Sequence, residues 1–241
     1  MEAVRLTASV KALIFVTSDK CYLNKEVTRG YTESDELGGN DPYSASKAGA
    51  ELVFASYARS YFADRVEFGA ASVRAGNVIG GGDWSSNRII PDCVRALISN
   101  QPITIRNPHA TRPWQHVLEP LSGYITLGAY LLKNGGGNFG AWNFGPPENA
   151  VHTVGEVANS VISEWGSGSL VIDQSSVKLH EATLLQLNCD KARNFFNWKP
   201  KWGYEQTIRK TIQWYVNFDN KENVLATSKQ QLDEYEMSEH D

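Results

Sequence analysis

Two groups of residues in this sequence have the types and spacing for proton-transfer chemistry. Ser18, Asp19 and Lys20 directly follow the apolar run Ala12 to Val16, and Tyr43 and Lys47 stand four apart in Asp41-Pro42-Tyr43-Ser44-Ala45-Ser46-Lys47. On a helix, a spacing of four stacks two side chains on one face. A lysine ammonium in that place favours the phenolate of the tyrosine and also reaches the ribose of a nicotinamide nucleotide, which makes Tyr43 a candidate base for hydride chemistry. The triplet puts a hydroxyl, a carboxyl and an amine at the end of an apolar strand. Open α/β sheets build their sites at the carboxyl ends of strands. Taken singly, the helical pair is also a common packing feature and the triplet a common strand exit; their succession is what points to a site.

The elements that must position these residues follow from patterning. Ala12 to Val16, Glu67 to Arg74 and a segment near Ala141 to Phe144 are predicted strands. Cys21 to Asp41 is polar and Gly-bearing, as expected of a loop over a site. Pro42 marks a helix start, and Leu52, Val53, Tyr57 and Tyr61 recur at helical spacings through Tyr43 to Phe62, so this helix is expected to pack on the sheet. Further on come a helix near Ile90 to Ile98 and a short strand at Ile103 to Arg106. Thr153-Val154-Gly155-Glu156 has the form of a capping box and opens a helix to about Trp165. A strand near Thr183 to Leu187, an Asp190-capped helix and an amphipathic helix from Tyr204 to Phe218 follow. The charged, weakly patterned tail from Asn220 to Asp241 is expected to be frayed or disordered.

Composition narrows the function classes. With 241 residues and 41% hydrophobic content, the chain can bury a sizeable core as one large domain or two small ones. A formal charge of -4, with Lys and Arg in no block, leaves no electrostatic footprint for nucleic acid, so small molecules are the expected partners. Cys21, Cys93 and Cys189 are far apart and odd in number, which suits reduced thiols in a cytoplasmic protein and offers no metal-site spacing. Nowhere do eighteen apolar residues occur in a row, so no membrane span is expected. The tryptophans are read first as packing residues.

The segments Val16-Thr17-Ser18-Asp19-Lys20-Cys21-Tyr22 and Pro42-Tyr43-Ser44-Ala45-Ser46-Lys47 resemble the extended short-chain dehydrogenases/reductases that act on sugar nucleotides, and within them the CDP-glucose 4,6-dehydratases. The likeness continues through Arg74-Ala75-Gly76-Asn77-Val78-Ile79-Gly80-Gly81-Gly82-Asp83-Trp84, Arg112-Pro113-Trp114-Gln115-His116-Val117, Trp142-Asn143-Phe144-Gly145 and His180-Glu181-Ala182. It runs from about residue 11 to about residue 218.

The resemblance implies an α/β protein: the C-terminal part of a doubly wound, Rossmann-type NAD-binding domain plus a smaller α/β substrate-binding domain. Residues 1–77 would be what remains of the NAD-binding domain, to which the strand near 141–144 returns. Residues 78–219 would mainly bind the nucleotide sugar, and 220–241 would be the tail. The family's Gly-rich turn for the dinucleotide pyrophosphate is not found here. Gly80-Gly81-Gly82 lies in a loop toward Trp84, and Gly135-Gly136-Gly137 follows a helix-like stretch instead of a strand. The likeness therefore places Met1 in the middle of the doubly wound domain, with about four βα units, on the order of 110 residues, ahead of it. It also leaves Ala12 to Val16 as a bare edge strand prone to self-association.

For the chemistry, the resemblance implies NAD that is reduced and reoxidised within one turnover. Tyr43, with Lys47 and the Ser18 hydroxyl, would take the proton of the sugar 4-hydroxyl; Ser18, Tyr43 and Lys47 would also hold the cofactor. Asp19 would protonate the 6-hydroxyl as it leaves, and Lys20, where the dTDP-glucose dehydratases carry Glu, would remove the C-5 proton as a neutral amine. Asn77, Asn87, Arg88, Arg112, Asn143 and His180 would surround the pyrophosphate and sugar, with Ile103 to Ile105 passing the base. Without the likeness each Arg is as readily a surface charge, and His180 a structural residue. The expected ligands are NAD and a CDP-sugar, and the expected assembly is a homo-oligomer. Two alternatives stay open: an epimerase or a dehydratase for another base, which would not need both Asp19 and Lys20, and an inactive nucleotide-sugar binding remnant that lacks the Gly-rich NAD unit.

Overall fold

The computed structural model describes residues 1–136, 140–147, 150–173 and 185–238. In chain order the elements are α1 (Glu2–Leu6), β1 (Ala12–Val16), α2 (Pro42–Tyr57), β2 (Gly69–Arg74), β3 (Val78–Ile79), α3 (Ile89–Ile98), β4 (Ile103–Ile105), β5 (Thr111–Arg112) and β6 (Gln115–His116). There follow α4 (Leu118–Asn134), β7 (Ala141–Asn143), β8 (His152–Thr153), α5 (Val154–Trp165), β9 (Leu170–Ile172), α6 (Asp190–Phe196), α7 (Tyr204–Asp219) and α8 (Val224–Met237). No described helix is long and apolar enough to cross a membrane.

The chain divides into two compact units. The first comprises Met1–Gly76, Pro120–Glu148 and Leu185–Lys199; the second comprises Asn77–Glu119, Asn149–Leu184 and Pro200–Asp241. Besides the strand near Ala141, most of α4 and the segment carrying α6 belong to the first unit.

The first unit is built on a parallel sheet of order β1-β2-β7, with Ala12 opposite Gly69, Val16 opposite Val73 and Ser72 opposite Ala141. Both faces are covered, as parallel sheets require. Successive side chains of β1 point to opposite faces. Leu13 and Phe15 join Phe54, Phe62 and Phe68, while Ala12 and Ile14 join Leu127, Leu131 and Trp142. The small residues of β2 let helices approach closely. A Cβ added to Gly69 would lie 2.9 Å from the Leu131 Cβ, so this position excludes any side chain. Among the described residues β1 pairs only with β2, and its other edge has no strand partner.

The second unit packs three amphipathic helices around short strands. Ile90, Val94 and Leu97 of α3, Val157 and Val161 of α5, and Ile208, Ile212 and Tyr215 of α7 share one core with Ile103 and Ile105. The capping box at α5 is complete: the Thr153 hydroxyl accepts from the Glu156 amide and the Glu156 carboxylate accepts from the Thr153 amide.

Three expectations about elements are corrected. The tail from Asn220 is ordered over α8, capped by Asn223, and buries Thr227, Gln231 and Tyr235 at intervals of four. Its contact face is polar, so hydrophobic patterning did not reveal it. The Gln231 amide donates to the Lys210 carbonyl, and the Tyr235 hydroxyl donates to buried Glu119 at 2.7 Å. Asp190 is the first residue of α6 and not its cap; its amide donates to Asn188 Oδ1 at 3.0 Å. Of the strand expected near Thr183 to Leu187, the described part shows only a single bridge between Leu187 and Tyr31, and Thr183 lies outside the described residues.

Candidate active site

The chain leaves β1 and turns at once, and that turn carries the carboxyl and amine. Asp19 to Cys21 form a single 3-10 turn with Ser18 as its cap. The Ser18 hydroxyl accepts from the Lys20 amide at 3.2 Å and donates to Asp19 Oδ1 at 3.0 Å. The Lys20 ammonium donates to Asp19 Oδ2 at 2.9 Å. The Asp19 side chain is only 4% exposed, so this ion pair is largely withdrawn from water on the carboxylate side. The Asp19 amide donates to the Ala75 carbonyl, and Gly76 lies against the carboxylate, where a Cβ would come within 2.8 Å of Oδ1 and closer still to Cγ and Oδ2.

The turn packs against α2, whose start is set by Asp41 and Pro42. Asp41 Oδ1 accepts from the amides of Tyr43 and Ser44, so the first helical turn presents Tyr43 in a fixed orientation. The Asp41 carboxyl is held below the usual range by the Ser44 hydroxyl and amide, then the Tyr43 amide and, least, by the charge of Lys20. Tyr43 is 55% exposed, and its hydroxyl has no hydrogen-bond partner among the described residues. The Lys47 ammonium lies 5.6 Å from the centroid of the Tyr43 ring. The Ser18 hydroxyl donates to Asp19 Oδ1, and no hydrogen bond joins it to Tyr43 among the described residues. The first unit thus carries an acid–amine pair on the turn and a phenol–amine pair on the helix.

Beneath both lies a buried network that the sequence motifs did not single out. Glu51 accepts from Ser72 Oγ at 2.8 Å, from Arg74 Nε at 2.9 Å and Nη2 at 2.8 Å, and from Thr17 Oγ1. Arg74 Nη1 donates to the Tyr22 hydroxyl at 2.7 Å, which in turn donates to Asn143 Oδ1 at 2.8 Å. Burial works to raise the Glu51 carboxyl, yet the hydrogen bond and charge of Arg74, with Thr17 and Ser72, hold it below its usual range. For Arg74, burial works against the charge and the Glu51 hydrogen bond overrides it, so the guanidinium is held more firmly charged than usual. The signal in the sequence was a carboxylate four residues after Lys47, among the buried positions Ala48 and Phe54 of α2. A charge at a core position implies a partner.

The residues expected around the nucleotide sugar are placed unevenly. Ile103 and Ile105 are core residues, 2% and 3% exposed, because the pleat turns both inward and Thr104 outward. Asn143 is fully buried, with its amide donating to the carbonyls of Tyr31 and Asn188, so its polar groups are spent inside the first unit. Asn77 adopts φ +52, and its Nδ2 is buried with no partner among the described residues. Asn87 is exposed at φ +62, beside Arg88, whose guanidinium donates to Asp83 at 3.1 Å. Arg112 is half-buried on β5 opposite His152. His180 lies outside the described residues.

The family model described as GDP-mannose 4,6 dehydratase matches residues 1–211. The chain is similar to the CDP-glucose 4,6-dehydratase of Salmonella typhimurium, at 41% identity over 239 residues, covering 98% of this chain and 67% of that protein. It is similar to the dTDP-D-glucose 4,6-dehydratase of Mus musculus at 27% identity, covering 90% of this chain and 59% of that one. Among solved structures, that of dTDP-glucose 4,6-dehydratase from Bacillus anthracis in complex with NAD superimposes with a TM-score of 0.71 at 26% identity, covering 92% of this chain and 66% of that one. The chain therefore spans about two thirds or less of the length of these proteins.

Proposed function

The chain belongs to the GDP-mannose 4,6 dehydratase family, and on that premise we propose that it carries the catalytic and substrate-binding part of a cytoplasmic, NAD-dependent CDP-glucose 4,6-dehydratase. The observation that carries this reading is the Asp19–Lys20 pair at 2.9 Å. Elimination across C-5 and C-6 needs an acid for the leaving 6-hydroxyl and a base for the C-5 proton. As it stands the pair is a carboxylate and an ammonium. Moving one proton from Lys20 Nζ to Asp19 Oδ2 makes it a carboxylic acid and a neutral amine, with no change in net charge. A seated sugar that excludes water disfavours the separated charges and so favours that transfer.

The residues present fit the nicotinamide end of NAD. Tyr43 offers an unbonded, exposed hydroxyl, Lys47 stands beside its ring, and with Ser18 these two would hold the cofactor. When bound, NAD accepts hydride from the sugar C-4 and returns it to C-6. Tyr43 takes the proton of the 4-hydroxyl during oxidation. The resulting ketone acidifies C-5, Lys20 removes that proton, and Asp19 protonates the 6-oxygen, which departs as water. Lys20 then returns a proton to C-5, and the proton that Tyr43 took replaces, through solvent, the one that Asp19 gave up, so the groups end the turnover as they began it. A second reading, a nucleotide-sugar binding remnant, is the outcome if the protein binds CDP-glucose without turning it over.

The test is incubation with CDP-glucose and NAD in heavy water, read by mass spectrometry. A dehydratase gives a keto-sugar lighter by one water and carrying one deuterium, whereas an epimerase gives a product of unchanged composition. Tyr43→Phe is expected to lower keto-sugar formation ~10²-fold or more. A Tyr43→Phe protein that works as well as the parent would refute the role of the phenol.

A further inference from the structure

We propose that Glu51 is a positioning residue for this site, its buried carboxylate holding the Ser18–Lys20 turn and the helix of Tyr43 and Lys47 in one register. This rests on the dehydratase reading for its catalytic consequence, though not for its geometry. Glu51 follows Lys47 by one turn of α2, ~6 Å along the axis, and Tyr43 by two. Its side chain reaches Ser72 and Arg74 of β2 and is only 3% exposed, unlike the exposed phenol of Tyr43.

Of the four hydrogen bonds it accepts, one comes from Ser72 within β2, and the other three come from Thr17 and Arg74, which stand next to the walls of the acid–amine pair. Thr17 immediately precedes Ser18. Arg74 immediately precedes Ala75, whose carbonyl takes the Asp19 amide, and Gly76, whose backbone abuts the Asp19 carboxylate. Arg74 Nη1 reaches the Tyr22 hydroxyl, just past the end of the turn, at 2.7 Å, and the Glu33 carbonyl at 3.4 Å. The turn from Ser18 to Cys21 is thus bracketed on its entry side by Thr17 and on its exit side by Tyr22, with both brackets ending on the one Glu51–Arg74 pair. A buried ion pair is weak evidence of stabilisation, since well-packed apolar residues often replace one without loss. It does impose directional constraints that apolar packing lacks, and proton transfer at 2.9 Å depends on such constraints.

The experiment compares Glu51→Gln, Arg74→Lys and the double variant Glu51→Gln/Arg74→Met, which removes both buried charges and keeps the protein testable should a single variant fail to fold. Two readouts are taken on folded material. With CDP-glucose and NAD, Glu51→Gln and the double variant are expected to lose ~10- to 100-fold in kcat with KM for the sugar nucleotide changed less than about 2-fold, and Arg74→Lys is expected to retain more kcat than either. Without any substrate, the amides of Asp19, Cys21 and Tyr22 are expected to exchange with solvent ~10-fold faster than in the parent, while those of β2 keep their protection. A purely structural role predicts instead that the double variant, once its melting temperature matches the parent, recovers both kcat and exchange, and that result would overturn the proposal. If the parent forms no keto-sugar, the dehydratase reading falls. The exchange measurement still decides whether Glu51 positions the turn: unchanged exchange at Asp19, Cys21 and Tyr22 rejects it.

Discussion

If the proposed dehydratase reading holds, Gly76→Ala should isolate the elimination step by sterics alone. Gly76 is not among the residues at positive φ, so alanine suits its backbone and the methyl group is the whole perturbation. That methyl would stand 2.8 Å from Asp19 Oδ1 and nearer to Cγ and Oδ2, where side-chain carbons in folded proteins keep at least 3.0 Å. The carboxyl is short, and its oxygens are bonded by Ser18 and Lys20, so it cannot swing aside without breaking one of those bonds. It must withdraw by on the order of 1 Å, a misplacement that costs ~10²-fold in rate. Tyr43 and Lys47 stand on a different element and keep their arrangement, so oxidation at C-4 continues. A single-turnover mixture of Gly76→Ala protein, NAD and CDP-glucose should therefore accumulate reduced nicotinamide, seen by its absorbance, while keto-sugar formation falls ~10²-fold. Undiminished product, or equal loss of both signals, would refute the assignment of Asp19 to elimination.

Asp19→Asn and Lys20→Met should behave likewise, each leaving reduced nicotinamide in excess of product. If either loses oxidation as fully as Tyr43→Phe, the division of roles between turn and helix is wrong. His116 gives a pH prediction for the second unit. Burial, and then the charge of Lys210, push its imidazole down to about 4, and its Nδ1 accepts from the Leu118 amide beside the Trp202 ring. The unfolded chain takes up this proton near pH 6.5 and the folded one only near 4, so the stabilisation is complete above pH 6.5 and is lost as pH falls toward 4. The loss is about 3 kcal/mol. Urea midpoints at pH 7 and 4.5 should differ more for the parent than for His116→Gln, and equal differences would show that His116 does not titrate on unfolding.

Local signals were enough for much of this protein. Ala12 to Val16 was legible as a strand because it is apolar and bounded by polar residues, and it has those bounds in the structure. The α5 capping box was legible from Thr153 and Glu156 because its partners are three residues apart. The triplet and the Tyr43/Lys47 pair were legible for the same reason, since each lies within one turn of chain. Patterning failed where a contact face is polar, as in α8, whose buried Thr227 and Gln231 carry no hydrophobic signal. A family resemblance also could not say which way a side chain points. Ile103 and Ile105 face the core by the pleat, and Asn143 is drawn inward by the Tyr22 hydroxyl and two carbonyls.

The sequence by itself determined the chemistry available, namely a carboxyl and an amine on one turn and a phenol and an amine on one helix face, because those groups are neighbours along the chain. Only the tertiary structure decided how they are held. Glu51 meets Thr17 and Arg74 across 34 and 23 residues, and Gly76 meets Asp19 only after β1 and β2 have paired. Contacts of that kind exist only once the chain has folded and closed its loops, so no local spacing encodes them.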